Sequence, residues 1–184
     1  MAKTAKGLLE HCQAQLGHIY WYGTFGQAPT LDLLSYKRRQ YPNQMTAERY
    51  DYAKKHHVGQ KGKRVFDCAG LIKSYWMMDT PTSAPKYIAA YDKSANMLKA
   101  CCGERGPVGS LPEAPGLLVF LPGHVGIYAG KGKVIEARGF AYGVVETQLN
   151  ARPWTEWGRL SWLEEEKPAE IKKMEEDCTC TCHK

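Results

Sequence analysis

At Leu117 the hydrophobic period of this chain changes, and that change limits the folds open to it. Residues 117–121, 124–129, 133–138, 144–149 and 157–162 are short, β-rich runs punctuated by Pro, Gly or Asn. Upstream the signals are helical. Residues 4–16 carry Thr4 as a cap, Leu8, Leu9, Cys12 and Leu16 near one face, and Gly17 as a stop. Residues 31–39 predict a short helix, 46–57 a better one capped by Thr46, and 94–102 another that starts at Ser94 and stops at Gly103. Residues 106–115 read as turns. Helices first and strands second predict an α+β domain with an antiparallel C-terminal sheet. At 184 residues the chain is long enough to bury one core of its own.

Between the two halves lies Val65-Phe66-Asp67-Cys68-Ala69-Gly70-Leu71-Ile72, followed by an unbroken helical composition to Met78. A cysteine at that junction sits at a helix N-terminus, where unpaired N–H groups and the macrodipole favour a thiolate. The segment alone is equally compatible with a buried cysteine acting as a small hydrophobe.

A thiolate nucleophile needs a base, and His124 is the best placed of the six histidines. It follows Pro122-Gly123 and opens the run Val125-Gly126-Ile127-Tyr128, at a strand start where its ring can face a cleft. If Gly130-Lys131-Gly132 forms a three-residue hairpin loop, Glu136 falls opposite Gly126 and becomes a same-face diagonal neighbour of His124. A carboxylate there would hold the imidazole by its second nitrogen and complete a set of nucleophile, base and orienter. The plainer readings are a turn histidine and a solvated strand carboxylate.

Together these segments resemble the NlpC-type cell-wall cysteine peptidases, a papain-like family. Phe66-Asp67-Cys68-Ala69-Gly70-Leu71-Ile72 is similar to the family's Asp-Cys-Ser-Gly-Leu nucleophile motif, and Gly123-His124-Val125-Gly126-Ile127-Tyr128 to its Gly-His-Val-Gly-Ile-Tyr strand. Val134-Ile135-Glu136-Ala137 falls where the third polar residue of the triad is expected, and Tyr20-Trp21-Tyr22-Gly23 looks like the Tyr-x-Trp-Gly segment. The resemblance implies a papain-like domain over residues 1–163, with N-terminal helices carrying the nucleophile and packed on the antiparallel sheet. It implies Cys68, His124 and Glu136 as catalytic residues and Tyr20 as a cleft residue. Asp67 would either bind a free substrate amine or cap the helix. The implied reaction is hydrolysis of an amide in the peptide stem of peptidoglycan, commonly between γ-D-glutamate and a diamino acid, with no metal or organic cofactor.

Three departures stand out. Glu136 replaces the usual His, Asn or Gln, which should stabilise an imidazolium further. Ala69 replaces the usual Ser. Finally, about forty residues separate Tyr22 from Cys68, an insertion at about 25–64 that could cap the cleft or bind a partner.

Charge is concentrated in that insertion. Residues 1–66 hold 11 basic and 4 acidic side chains, net +7, against net +2 for 67–163 and net −3 for 164–184. The excess would suit an anionic cell-wall polymer as readily as a solvated surface. Gly59-Gln60-Lys61-Gly62-Lys63-Arg64 reads as a flexible basic loop. Specific nucleic-acid binding lacks a recognition motif. No run approaches the roughly 18 apolar residues of a membrane span. No signal-peptide core follows the basic start, so the expectation is cytosolic synthesis, with access to the wall as a phage-encoded enzyme or by a route outside Sec.

The seven cysteines are odd in number, and their placement does not look like a secreted disulfide framework. Residues 164–184 read as a charged tail, helical over 168–177, ending in Cys178, Cys180, Cys182 and His183. Those donors suit a soft metal in chemistry but lack the usual Cys-x-x-Cys spacing, and a linker end is the simpler reading. Two other functions share the same fold: a polyanion- or wall-binding module in which Cys68 is unused, and a papain-like amidase or acyltransferase acting on a small substrate.

Overall fold

A computed structural model describes residues 3–164 of the chain. The tail with Cys178, Cys180, Cys182 and His183, and the helix expected over 168–177, lie outside the described residues.

The architecture is α+β, with helices in the first half and an antiparallel sheet in the second. Helix α1 (Ala5–Gln13) starts at Thr4, whose hydroxyl accepts from the Gly7 N–H at 3.1 Å, and buries Leu8, His11 and Cys12. It stops short of Leu16, which is exposed. Helix α2 (Leu31–Gln40) is capped by Thr30, α3 (Ala47–His56) by Thr46, α4 (Cys68–Met77) by Asp67 and α5 (Ala95–Ala100) by Ser94. Helix α4 is buried around most of its circumference, from Ala69 to Ser74 and again at Trp76 and Met77. That explains its nearly uninterrupted apolar sequence.

The main sheet contains β4 (Cys102–Pro107), β5 (Leu118–Leu121), β6 (His124–Gly130), β7 (Lys133–Gly139), β8 (Gly143–Gln148) and β9 (Glu156–Leu160), in the order β4-β9-β5-β6-β7-β8. One face packs Leu118, Phe120, Val125, Ile127, Ile135 and Ala137 into a core with Leu71 and Ile72 of α4. The opposite face packs Leu117, Val119, Tyr128 and Val134 with Trp154 and Trp157. Burial on both faces accounts for the continuous apolar run at 117–121.

Strand β4 overlaps the end of the helix expected to Cys102 and the start of the turns expected from Gly106. Gly103, Gly106 and Pro107 mimic turn chemistry, but the segment is an edge strand paired with β9, and its register shifts between Cys102 and Glu104. An edge position tolerates residues that a central strand would not.

A smaller sheet joins β1 (Ile19–Tyr20), β2 (Phe25–Gln27) and β3 (Val65–Phe66), with β3 in the middle, parallel to β1 and antiparallel to β2. Between β2 and β3, helices α2 and α3 close over a second core of Ile19, Trp21, Leu34, Met45, Ala53 and Val65. The stretch expected to be a loose basic loop is tied down. Lys63 Nζ donates to Gly17 O at 2.8 Å, Arg64 donates to Gly26 O at 2.7 Å, and Arg64 also reaches Thr82 O. Arg38 donates to Met45 O, and Arg49 to Gln44 O at 2.7 Å. Much of the segment's basic charge therefore satisfies main-chain carbonyls. Among the described residues no helix is long and apolar enough to cross a membrane.

Candidate active site

Cys68 is the first residue of α4, and the strand end β3 delivers the chain to it. The turn into the helix is fixed by Asp67. Its Oδ1 accepts from the Gly70 N–H at 2.5 Å, and its Oδ2 accepts from the Gly23 N–H at 2.8 Å. Asp67 is thus a cap, and it also ties the segment before β2 to the start of α4. Burial pushes its carboxyl above the ordinary value, against the pull of Lys73 and of the two N–H donors. Gly70 is required by close approach: a Cβ there would stand 1.9 Å from the carbonyl oxygen of Thr24.

The N–H groups of Val125, Ala69 and Cys68 itself lie near the Cys68 sulfur and favour its charge. Val125 follows His124 directly, so the helix start and the start of β6 meet at the sulfur. Burial, helped by the Asp67 carboxylate, nonetheless pushes the thiol up to about 12. The nearby N–H groups pull the other way, and desolvation of the charge outweighs them.

His124 and Glu136 are brought together. His124 Nε2 donates to Glu136 Oε2 at 2.7 Å. Their shared face survives a hairpin different from the expected one. The β6–β7 turn has two residues, Lys131 and Gly132, both with positive φ (52° and 68°), as a type I′ turn requires. A register shift between Tyr128 and Gly130 supplies the extra residue, so Ile127 still faces Ile135 and parity is kept.

Glu136 is fully buried yet ionisable. Burial opposes its charge, but the hydrogen bond from His124, the Arg152 guanidinium and the Thr147 hydroxyl outweigh it and hold the carboxyl below the usual value. Thr147 Oγ1 donates to Oε1 at 3.1 Å, and Arg152 Nη1 lies 3.5 Å from Oε2. Trp154 stacks on the imidazole, with ring centroids 5.7 Å apart and planes inclined by 24°. With Nε2 committed to Glu136, Nδ1 makes no hydrogen bond among the described residues and is the nitrogen left for proton transfer. Thr147, Arg152 and Trp154 were not singled out from the sequence. The available signal was indirect: a carboxylate on a strand apolar on both faces needs buried partners.

Cys68 opens into a cavity of about 670 Å³ lined by Tyr22, Tyr36, Lys37, Tyr41, Lys73 and Asp92, among others. One wall is therefore helix α2, from the segment 25–64. Tyr20 packs beside Cys68 in the core, where burial and the neighbouring Asp67 raise its phenol above the ordinary value. It lines a different cavity of about 480 Å³ with Tyr52, His57 and Phe140, and not the one that Cys68 opens into.

The sequence model of the NlpC/P60 family matches residues 47–162, which span β3, α4 and the main sheet. Similar solved structures include the peptidoglycan hydrolase RipB of Mycobacterium tuberculosis (18% identity, TM-score 0.48), with 88% of this chain and 65% of that one covered. The P60 domain of an antigen from M. avium subspecies paratuberculosis is also similar (18% identity, TM-score 0.47), with 88% and 96% covered. NlpC2 from Trichomonas vaginalis matches at 15% identity and TM-score 0.46, with 86% and 48% covered. The chain thus spans just under two thirds of the first of these proteins and about half of the last. Comparison with curated proteins gives no match.

Proposed function

The chain belongs to the NlpC/P60 family, and on that premise we propose that it is a cell-wall peptidase that hydrolyses the amide between γ-D-glutamate and the diamino acid of a peptidoglycan stem, with Cys68, His124 and Glu136 as its catalytic groups. One observation supports this reading most strongly. An imidazole oriented by a buried carboxylate stands on the strand whose next residue, Val125, has its N–H near the thiol at the helix start.

The protonation states order the steps. With burial holding the Cys68 thiol up, His124 removes its proton through Nδ1 as the sulfur attacks the carbonyl carbon. Glu136 then faces an imidazolium at 2.7 Å and stabilises it. Asp67 occupies the Gly70 N–H, which leaves the N–H groups of Cys68 and Ala69 at the helix start to receive the oxyanion. Collapse breaks the C–N bond, His124 returns the proton to the departing amine, and water releases the acyl group. The absent hydroxyl at Ala69 takes no part in these steps.

The test is mass spectrometry of muropeptides incubated with the protein and with Cys68→Ala. A new free amine at the diamino acid, absent with the variant, is the expected result. Intact muropeptides, or equal cleavage by both proteins, would overturn the reading. Wall binding without turnover would point to a binding module, and turnover of small amides alone to an amidase or acyltransferase.

A further inference from the structure

Helix α2 places one unusual cation in the cavity of Cys68. Lys37 is 7% exposed, and its Nζ donates to the neutral Gln40 Oε1 at 3.0 Å. The ammonium lies 5.2 Å from the ring centroid of Tyr36 and 5.4 Å from that of Tyr41. Among the described residues it has no carboxylate partner. The two nearby acids are engaged elsewhere. Both oxygens of Asp67 accept main-chain N–H groups, while Asp92 accepts from Lys73 at 2.5 Å and from the Tyr87 hydroxyl at 3.0 Å. Lys73, the other buried lysine of this cavity, is thereby paired.

An ammonium carries three donors, and Lys37 uses one on a protein acceptor. A buried charge without a counter-charge is costly, and burial accordingly draws the Lys37 pKa down. Aromatic faces compensate in part. What this arrangement fits is a second anion, brought in by the ligand. A γ-linked D-glutamate supplies one, because the γ linkage leaves its α-carboxylate free on the residue that contributes the scissile carbonyl.

We infer that Lys37 is a specificity-determining residue that pairs with a free carboxylate on the substrate residue that supplies the scissile carbonyl, between the rings of Tyr36 and Tyr41. The identity of the carboxylate rests on the substrate reading above. The cation itself comes from segment 25–64, so that segment selects substrate as well as forming a wall.

The experiment uses two stem peptides, identical except that the D-glutamate α-carboxylate is free in one and amidated in the other. Wild type should favour the free acid through KM by about 10- to 100-fold, the range of a charge-assisted hydrogen bond. Lys37→Met should raise KM for the acid to that of the amide while leaving kcat and the amide's KM within about twofold. Lys37→Arg should keep the preference, and thermal unfolding shows whether either variant has lost its fold. Equal weakening for both peptides, or no change for either, overturns the inference. If wild type cleaves neither peptide, the substrate reading fails on its own. Equilibrium binding of the same pair to Cys68→Ala, with and without Lys37→Met, then decides: a lost preference for the acid upholds the role of Lys37, and no preference at all overturns it.

Discussion

Arg152 Nη1 lies 3.5 Å from Oε2 of Glu136, the same oxygen that receives the His124 hydrogen bond. The guanidinium helps to keep Glu136 ionised against its own burial. A carboxyl held low is charged above its folded pKa and becomes protonated as pH falls through that value. Arg152→Met should therefore move the acid limb of kcat/KM to higher pH and lower the rate at neutral pH by about tenfold, the scale of one charge-assisted contact. Arg152→Lys should restore the limb. An unmoved limb in Arg152→Met would reduce this arginine to packing.

Glu136→Gln retains an acceptor for the His124 N–H but not the charge opposite an imidazolium. A loss of about 10- to 100-fold in kcat is expected, with KM little changed. Glu136→Ala leaves Arg152 and Thr147 without their acceptor in a buried site, and should also cost about 3 kcal/mol in urea unfolding. Equal activity in wild type and the Gln variant would mean that orientation alone is what Glu136 supplies.

With the Cys68 thiol pushed up to about 12 by burial, its alkylation by iodoacetamide should climb steadily with pH through 9. Site-resolved mass spectrometry separates it from Cys12, Cys101 and Cys102, which are also free. A rate already on a plateau at pH 6 would reveal a pre-formed thiolate and contradict general-base activation.

Gly70→Ala would push a methyl carbon into the carbonyl of Thr24. The clash is with main chain, so α4 and β2 must separate, at a cost of about 3 kcal/mol by denaturant titration. Unchanged stability would show that β2 shifts freely.

His11 is buried beside Ser74, its Nε2 2.8 Å from the hydroxyl oxygen, and burial together with Lys3 lowers its pKa to about 4. Below about 6.5 the unfolded chain binds a proton that the folded chain refuses, so stability falls as pH drops from there towards 4. The variant His11→Gln should flatten that slope in pH-dependent urea unfolding. A slope unaltered by the change would assign acid sensitivity elsewhere.

What the sequence disclosed followed from local physics. Thr4, Thr46, Ser94 and the Asp67–Cys68 junction mark helix starts because a short polar side chain can satisfy an N–H two or three residues on. His124 and Glu136 were legible as a pair because strand side chains alternate with a period of two. Other features depend on contacts distant in sequence. No local pattern places α2 in the wall of the Cys68 cavity, brings Arg152 from the β8–β9 connection to Glu136, or makes burial prevail over a helix N-terminus at the thiol. Strand β4 was hidden because its glycines and proline look like turn residues until β9 lies beside them.

The register shift between Tyr128 and Gly130 gives the β6–β7 hairpin a rule of parity. One residue added or removed between Gly126 and Glu136, with the turn otherwise intact, would rotate the carboxylate to the opposite side of the sheet, among Ile127, Ala137 and the apolar flank of α4. Length variation here should consequently be inherited in steps of two, or as a lost residue balanced by a lost bulge. A hairpin with nothing but its tip exposed would thus carry an indel constraint as strict as any on the catalytic side chains, without itself touching a substrate.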